Sequence, residues 1–120
     1  MTHYLAYSDE ITALIRAQLQ PELEGFIKTL SVDSPCVQGY FSEEGTPLIK
    51  SHLDNVGLEM LFGDQQQLEE LIYDSVFRTA GSYLRQTEAG SDEVLVFLID
   101  TSYKISTALS AQLSAPRTLH

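Results

Sequence analysis

The first candidates for acid–base chemistry are three acidic side chains near the middle of the chain: Glu69, Glu70 and Asp74. General acid–base catalysis needs carboxyl groups that face each other across a pocket. Glu70 and Asp74 are four residues apart, which places them side by side on one face of a helix. Like charges at that spacing repel each other mildly. The pattern therefore predicts a solvated helix face.

Nucleophilic catalysis would depend on Cys36 and on a histidine that the fold brings beside it, for which His52 is the candidate. Metal sites need His, Cys, Asp or Glu clustered at fixed spacing. The three histidines, His3, His52 and His120, have no such motif around them. The sequence therefore predicts no metal and no cofactor, and it favours a Cys36 thiol without a catalytic role.

A third candidate site follows the apolar run Val94–Ile99. This run is short, continuous and partly β-branched, as buried strands are. If it is a strand, Asp100, Thr101 and Ser102 lie at its carboxyl end, where α/β sheets commonly bind ligands. The alternative is that the run opens a helix, because apolar residues continue at helical spacing for about 20 residues without a turn signal. We favour the helix.

The rest of the chain shows mainly the helical rhythm. Ser8 predicts a helix start, and apolar residues then recur at helical spacing as far as Leu30. Pro21 interrupts this stripe, which leaves two possibilities: one kinked helix, or two helices with Pro21 in the first turn of the second. Residues 31–45 lose the pattern and predict a connection, within which Cys36–Phe41 is a candidate short strand.

Two further helices complete the predicted architecture. Thr46 and Pro47 indicate the start of one that ends near Gly63, and Asp64 caps another that runs from about residue 65 to 86. With the helix that begins near Ser91, the sequence predicts an all-α antiparallel bundle of four to five helices. The alternative is an α/β fold with a strand at 94–99. We expect a single domain over residues 1–120, with frayed ends at about 1–7 and 115–120.

The two longest predicted helices each carry a second apolar stripe beside the first. A helix with so broad an apolar surface is usually central or shared with another subunit, and tyrosine and phenylalanine favour interfaces. The sequence therefore predicts a self-association or partner surface. Its candidate residues are Tyr73, Phe77, Leu84, Val96, Ile99 and Tyr103.

Composition narrows the class of function. The chain has 17 acidic against 7 basic residues and a net charge of −10, so nucleic-acid backbones and anionic membranes would repel it, whereas a basic protein would not. A single cysteine and an N-terminus without a signal-peptide pattern predict a cytoplasmic protein.

Together, these features favour a small acidic helical protein that acts without catalysis, through protein–protein interaction. An adaptor, an inhibitor or a regulatory bundle fits this description, with a homodimer as one possible form. Two alternatives stay open. One is a small-molecule-binding or enzymatic α/β domain with a site near Asp100–Ser102, and the other is an acidic mimic of nucleic acid.

Overall fold

A computed structural model describes residues 3–30, 36–55, 65–87 and 91–114. Nearly all of these residues are helical and none forms a strand, so the predicted all-α fold is confirmed. The elements in chain order are α1 (His3–Leu30), α2 (Val37–Tyr40), a π-helical turn (Phe41–Gly45), α3 (Thr46–Asp54), α4 (Gln65–Gln86) and α5 (Ser91–Ser114). The predicted helix end at Gly63 and cap at Asp64 lie outside the described residues.

The first helix, α1, is continuous from His3 to Leu30 and contains Pro21, so the single-helix alternative is the correct one. The predicted start at Ser8 is wrong, because the helix begins before it. The Ser8 hydroxyl is buried and donates to Oδ1 of Asp54 on α3, at 2.8 Å. This side chain therefore joins two helices instead of capping one. The inner face of α1 contributes four fully buried residues, Ile11, Ile15, Leu19 and Leu23.

The segment predicted as a connection with a short strand at Cys36–Phe41 is helical from Val37 onward, so both predictions are wrong for its described part. A glycine read as a turn signal explains the difference. Gly45 packs under the rings of Tyr40 and Phe41, and a Cβ placed there would lie 2.6 Å from Cδ1 of Phe41. The glycine thus serves close packing inside a helical segment and does not end one.

Tyr40 fastens this helical segment to α4. Its hydroxyl donates to the backbone carbonyl of Thr79 at 3.0 Å, and its ring lies 4.7 Å from that of Tyr83, centroid to centroid. Burial raises the pKa of the Tyr40 phenol above its usual value. A neutral, hydrogen-bonded phenol is therefore part of the core.

The run Val94–Ile99 lies inside α5, which confirms the helix over the strand. α4 and α5 pack along their length, and Thr107 donates to the Glu69 carboxylate at 3.0 Å. Because Glu69 is near the start of α4 and Thr107 is near the end of α5, the two helices run antiparallel. The buried side of α5 combines Leu98, Ile105, Leu109 and Leu113 with the smaller residues Thr101, Ser102, Ser106 and Ser110.

Contacts with α1 hold a second part of the buried side of α5. The rings of Phe26 and Phe97 stack with centroids 4.2 Å apart, and Nζ of Lys104 lies 2.6 Å from the Glu22 carboxylate. α5 is therefore enclosed by α1 and α4 on its buried side. Its remaining side faces solvent.

One buried hydroxyl of α5, that of Ser102, leads to a prediction about stability. Oγ of Ser102 is fully buried and has no hydrogen-bond partner among the described residues. Because a buried hydroxyl without a partner loses its hydration without compensation, we expect Ser102→Ala to raise the free energy of unfolding by about 0.5–1 kcal/mol, helped by the helix propensity of alanine. Urea denaturation followed by circular dichroism measures it.

Ser106→Ala is the matched control, one turn along the same helix. Ser106 is equally buried, but its hydroxyl donates to the Tyr103 carbonyl at 3.2 Å. Its removal gives up a hydrogen bond, so the gain should be smaller than at Ser102. Equal effects at the two positions would contradict the assignment of Ser102 as the unsatisfied hydroxyl.

Candidate interaction surface

The three acidic residues first considered for catalysis do not face one another across a pocket. Asp74 lies 3.0 Å from Nε of Arg78 and 3.3 Å from Nε2 of His52, and Glu69 accepts the hydrogen bond from Thr107. Glu70 is exposed on α4. Asp74 and Glu69 therefore act in contacts between and along helices.

Cys36 and His52 also have different surroundings. Cys36 is exposed and borders a small cavity of about 220 Å³, whose lining does not include His52. The His52 ring points instead toward Asp74 on α4. Within the described ranges, no three side chains of His, Cys, Asp or Glu are close enough together to hold a metal ion.

The candidate ligand site at Asp100–Ser102 is divided by the helix that carries it. Asp100 is exposed, whereas Thr101 and Ser102 are buried against the rest of the bundle. Successive residues of a helix point about 100° apart. The three side chains therefore do not converge, and the strand that would have placed them at a sheet edge is a helix.

A second cluster of charge lies between α1 and α3. Nζ of Lys50 is 2.9 Å from Oδ1 of Asp9 and 3.6 Å from Oδ2 of Asp54. The hydrogen bond that the Lys50 ammonium donates to the Asp9 carboxylate raises the pKa of Lys50. A partly exposed lysine between two carboxylates is a surface ion pair that ties α3 to α1.

The main unexplained feature is apolar. Among the described residues, five large hydrophobic side chains are exposed, and four of them lie on the solvent side of α5. We call these four the α5 outer face: Leu95 (51% exposed), Val96 (61%), Ile99 (45%) and Tyr103 (63%). Isolated apolar residues are common on surfaces, but a contiguous group marks an interaction site.

Three residues of the α5 outer face were among the sequence predictions: Val96, Ile99 and Tyr103. Leu95 was missed, although its position four residues before Ile99 places it on the same side of a helix. The spacing signal was present, but the apolar run around Leu95 obscured it. The sequence stripe on α5 therefore corresponds to residues that the described structure leaves uncovered.

Two of the three α4 members of the predicted surface, Phe77 and Leu84, line a groove, whereas Tyr73 does not. Tyr73 and Phe77 are half-buried, and their rings stack with centroids 6.1 Å apart. Leu84 is only 1% exposed and belongs to the core, so it contributes to the floor of this groove and not to an open surface. The structure thus separates one predicted stripe into a covered and a partly open portion.

This α4–α5 groove has a volume of about 550 Å³. Its apolar lining consists of Phe77, Gly81 and Leu84 from α4, and of Val94, Leu95 and Leu98 from α5. Arg78 and Arg85 line it as well. Because Leu95 belongs both to the groove and to the α5 outer face, the two form one surface.

The charges around this surface are arranged by sign. Asp92, Glu93 and Asp100 are exposed on α5, and the arginines stand on α4. Arg78 pairs with Asp74, whereas Arg85 forms no ion pair with any described carboxylate. The groove therefore combines an apolar floor with a positive rim, in a chain that is strongly negative overall.

α5 is also the one helix of the described residues that is long and apolar enough to cross a membrane. The stretch Ser91–Leu113 has a mean hydropathy of 1.3, and 39% of it is buried within the chain. Core helices of soluble proteins pass the same test. The observation therefore agrees with a helix that buries one face in the bundle and exposes another apolar face.

The chain matches no protein-family model, no curated protein and no solved structure at a significant level.

Proposed function

We propose that the chain is a non-enzymatic interaction protein that acts by binding a protein through the α5 outer face. One observation carries this proposal: the exposed apolar side chains of Leu95, Val96, Ile99 and Tyr103 lie together on one helix. Contact of these apolar side chains with water is unfavourable, so the free energy falls when a partner covers them. The acidic residues beside it form a polar rim of the kind that surrounds interface cores.

The arrangement supports binding better than catalysis. Among the described residues considered for chemistry, His52 lies 3.3 Å from Asp74 across two helices, and Cys36 and Glu70 are exposed. By contrast, Val96, Ile99 and Tyr103 of the α5 outer face are separated by three and four positions. One rigid helix therefore positions all three. A rigid apolar helix face is a recurring means of protein recognition.

The test is to remove the apolar character of the α5 outer face. In a variant with Val96→Ser, Ile99→Ser and Tyr103→Ser, we expect the crosslinked fraction of the chain in cells to fall about tenfold, since a few central side chains dominate most interfaces. Quantitative mass spectrometry of the crosslinked products provides the measurement. Circular dichroism verifies that the variant is helical.

Leu48→Ser is the matched control. Leu48 is the fifth exposed large hydrophobic residue and lies on α3, away from the α5 outer face. This variant should give the same crosslinked products as the original chain. If the triple variant also gives those products in full yield, or if the original chain gives none, the proposed function is wrong.

A further inference from the structure

We propose that the partner presents an apolar–acidic segment, in which one large apolar side chain enters the α4–α5 groove beside Gly81 and a neighbouring carboxylate binds Arg85. This inference rests on the proposed function and gives the chemistry of the segment that the chain recognises. The space at Gly81, the apolar walls of the groove and the charges along α4 each support it.

Gly81 lines the groove at a position where the fold does not require a glycine. It lies inside α4, which continues as helix on both sides of it. Among the described residues, the nearest contact of a Cβ at this position would be Cδ1 of Leu98 at 3.6 Å, an ordinary van der Waals distance. Glycine destabilises a helix interior relative to alanine. Since neither backbone nor packing accounts for Gly81, its effect is to leave space between the two helices.

The space beside Gly81 suits a large apolar side chain. Phe77 and Leu84 lie on either side of Gly81 along α4, and Leu95 and Leu98 line the groove from α5. The groove volume of about 550 Å³ falls among those of pockets that hold ligands, roughly 300–1,000 Å³. A few anchor side chains that fill such pockets supply most of the binding energy of an interface. Because Leu95 is 51% exposed, an anchor seated here continues onto the α5 outer face.

The charge of the groove favours a carboxylate on the partner. In the described part of the chain no acidic side chain lines the groove, whereas Arg78 and Arg85 both do. They are seven residues apart, which is about 10 Å along the same side of α4. Arg78 pairs with Asp74 at 3.0 Å, but Arg85 is exposed and forms no ion pair with a described carboxylate. Because a guanidinium can bind a carboxylate through two parallel hydrogen bonds, Arg85 is the arginine that is available to the partner.

The exposed carboxylates of α5 lie away from this basic wall. Lys104 pairs with Glu22 and therefore faces α1. Asp100 lies four residues before Lys104 and Glu93 lies seven before Asp100, so both share the α1 flank of the helix. Asp92, in the first turn, does not line the groove either. A segment seated in the groove is therefore beside the arginines, where like charges would be costly and opposite charges are favoured.

The experiment selects random peptides, displayed on phage, against the full chain and measures the dissociation constants of the selected peptides by fluorescence anisotropy. We expect these peptides to combine a Trp, Phe or Leu with a neighbouring Asp or Glu. Arg85→Glu should weaken their binding by about tenfold or more, equivalent to about 1.4 kcal/mol, because it replaces attraction by repulsion. A peptide whose acidic residue is changed to lysine should bind Arg85→Glu more tightly than it binds the original chain.

Gly81→Leu tests the groove itself. The added side chain occupies the space that the anchor would fill, so binding should again fall by about tenfold or more. Leucine favours helix, and circular dichroism checks that α4 is retained. Because Arg85 is exposed, Arg85→Glu tests the inference even if Gly81→Leu does not fold.

Arg16→Glu is the matched control for the reversal of charge. Arg16 also forms no ion pair with a described carboxylate, and it lines a different cavity, between α1 and α3. Since the charge of Arg16 lies outside the groove and is screened by salt, this variant should leave the dissociation constant nearly unchanged.

Selected peptides that lack an acidic residue, or that bind Gly81→Leu and Arg85→Glu as tightly as the original chain, overturn this inference. A selection that enriches no peptide does so too. A dimer of the original chain in sedimentation equilibrium that Gly81→Leu dissociates would make a second copy the occupant, with the same consequence. The proposed function fails separately, through the crosslinking test. Peptides whose binding requires the α5 outer face but tolerates Gly81→Leu would support that function and overturn the groove as its anchor site.

Discussion

Gly45→Ala should lower the free energy of unfolding by about 2–3 kcal/mol, near the upper end of the cost of overpacking a core. A Cβ at this position would lie 2.6 Å from Cδ1 of Phe41 and 2.8 Å from Cε2 of Tyr40. Both rings are buried, and the Tyr40 hydroxyl is held by the Thr79 carbonyl, so neither can move away without losing contacts. Urea denaturation gives the change from the shift in midpoint.

Gly25→Ala is the matched control, with the same substitution in another helix. Gly25 is exposed within α1, and a Cβ there would meet no atom within 4 Å. Alanine should therefore raise the free energy of unfolding by about 0.5–1 kcal/mol through its lower backbone entropy in the unfolded chain. If both substitutions stabilise the protein, the packing of Gly45 against the two rings is wrong.

Gly45 also shows why the sequence misled at residues 36–45. Glycine is the common residue of turns, but it is equally the residue that allows two groups to approach closely. The composition around Gly39 and Gly45 fits a turn and a closely packed helix equally well. What decides between them is that Tyr40 and Phe41 turn into the core beside Gly45, and this depends on α4. A local pattern carries no information about a neighbour that is 39 residues away in the chain, as Thr79 is from Tyr40.

The helix over residues 94–113 was more predictable, because its signal lies within one continuous segment. Residues 94–113 show the three-to-four-residue rhythm over about 20 positions, and a signal of that length outweighs the β-branched composition of its first six residues. The rhythm also identifies which side of α5 is buried. Leu98, Ile105 and Leu109 share the inner side, as their spacing requires.

The candidate surface could be predicted only in part. Periodicity found Val96, Ile99 and Tyr103, because an amphipathic helix leaves its second stripe on a definite side. For α4 the apolar surface is too broad for this argument. Its neighbours on both sides, α3 and α5, determine that Leu84 is covered while Phe77 is half-exposed. The extent of that covering depends on helix crossings that no single-helix pattern contains.

Two isoleucines of α5 therefore provide the most direct test of the fold and the surface together. Ile105→Ala should lower the free energy of unfolding by about 2–5 kcal/mol, because Ile105 is 1% exposed and its removal leaves a cavity among tightly packed neighbours. Ile99→Ala is the same substitution six residues earlier in the same helix, at a side chain that is 45% exposed. It should cost less than about 1 kcal/mol, since solvent fills the space and alanine favours the helix.

The two variants should exchange their order when association is measured instead of unfolding. Ile99→Ala removes apolar area from the centre of the α5 outer face and should lower the yield of crosslinked products, measured as for the triple variant. Ile105→Ala leaves that face intact, so the fraction that is folded should associate as the original chain does. Equal losses of stability at the two positions would show that both sides of α5 are buried in one chain, and the apolar surface would then have no partner to bind.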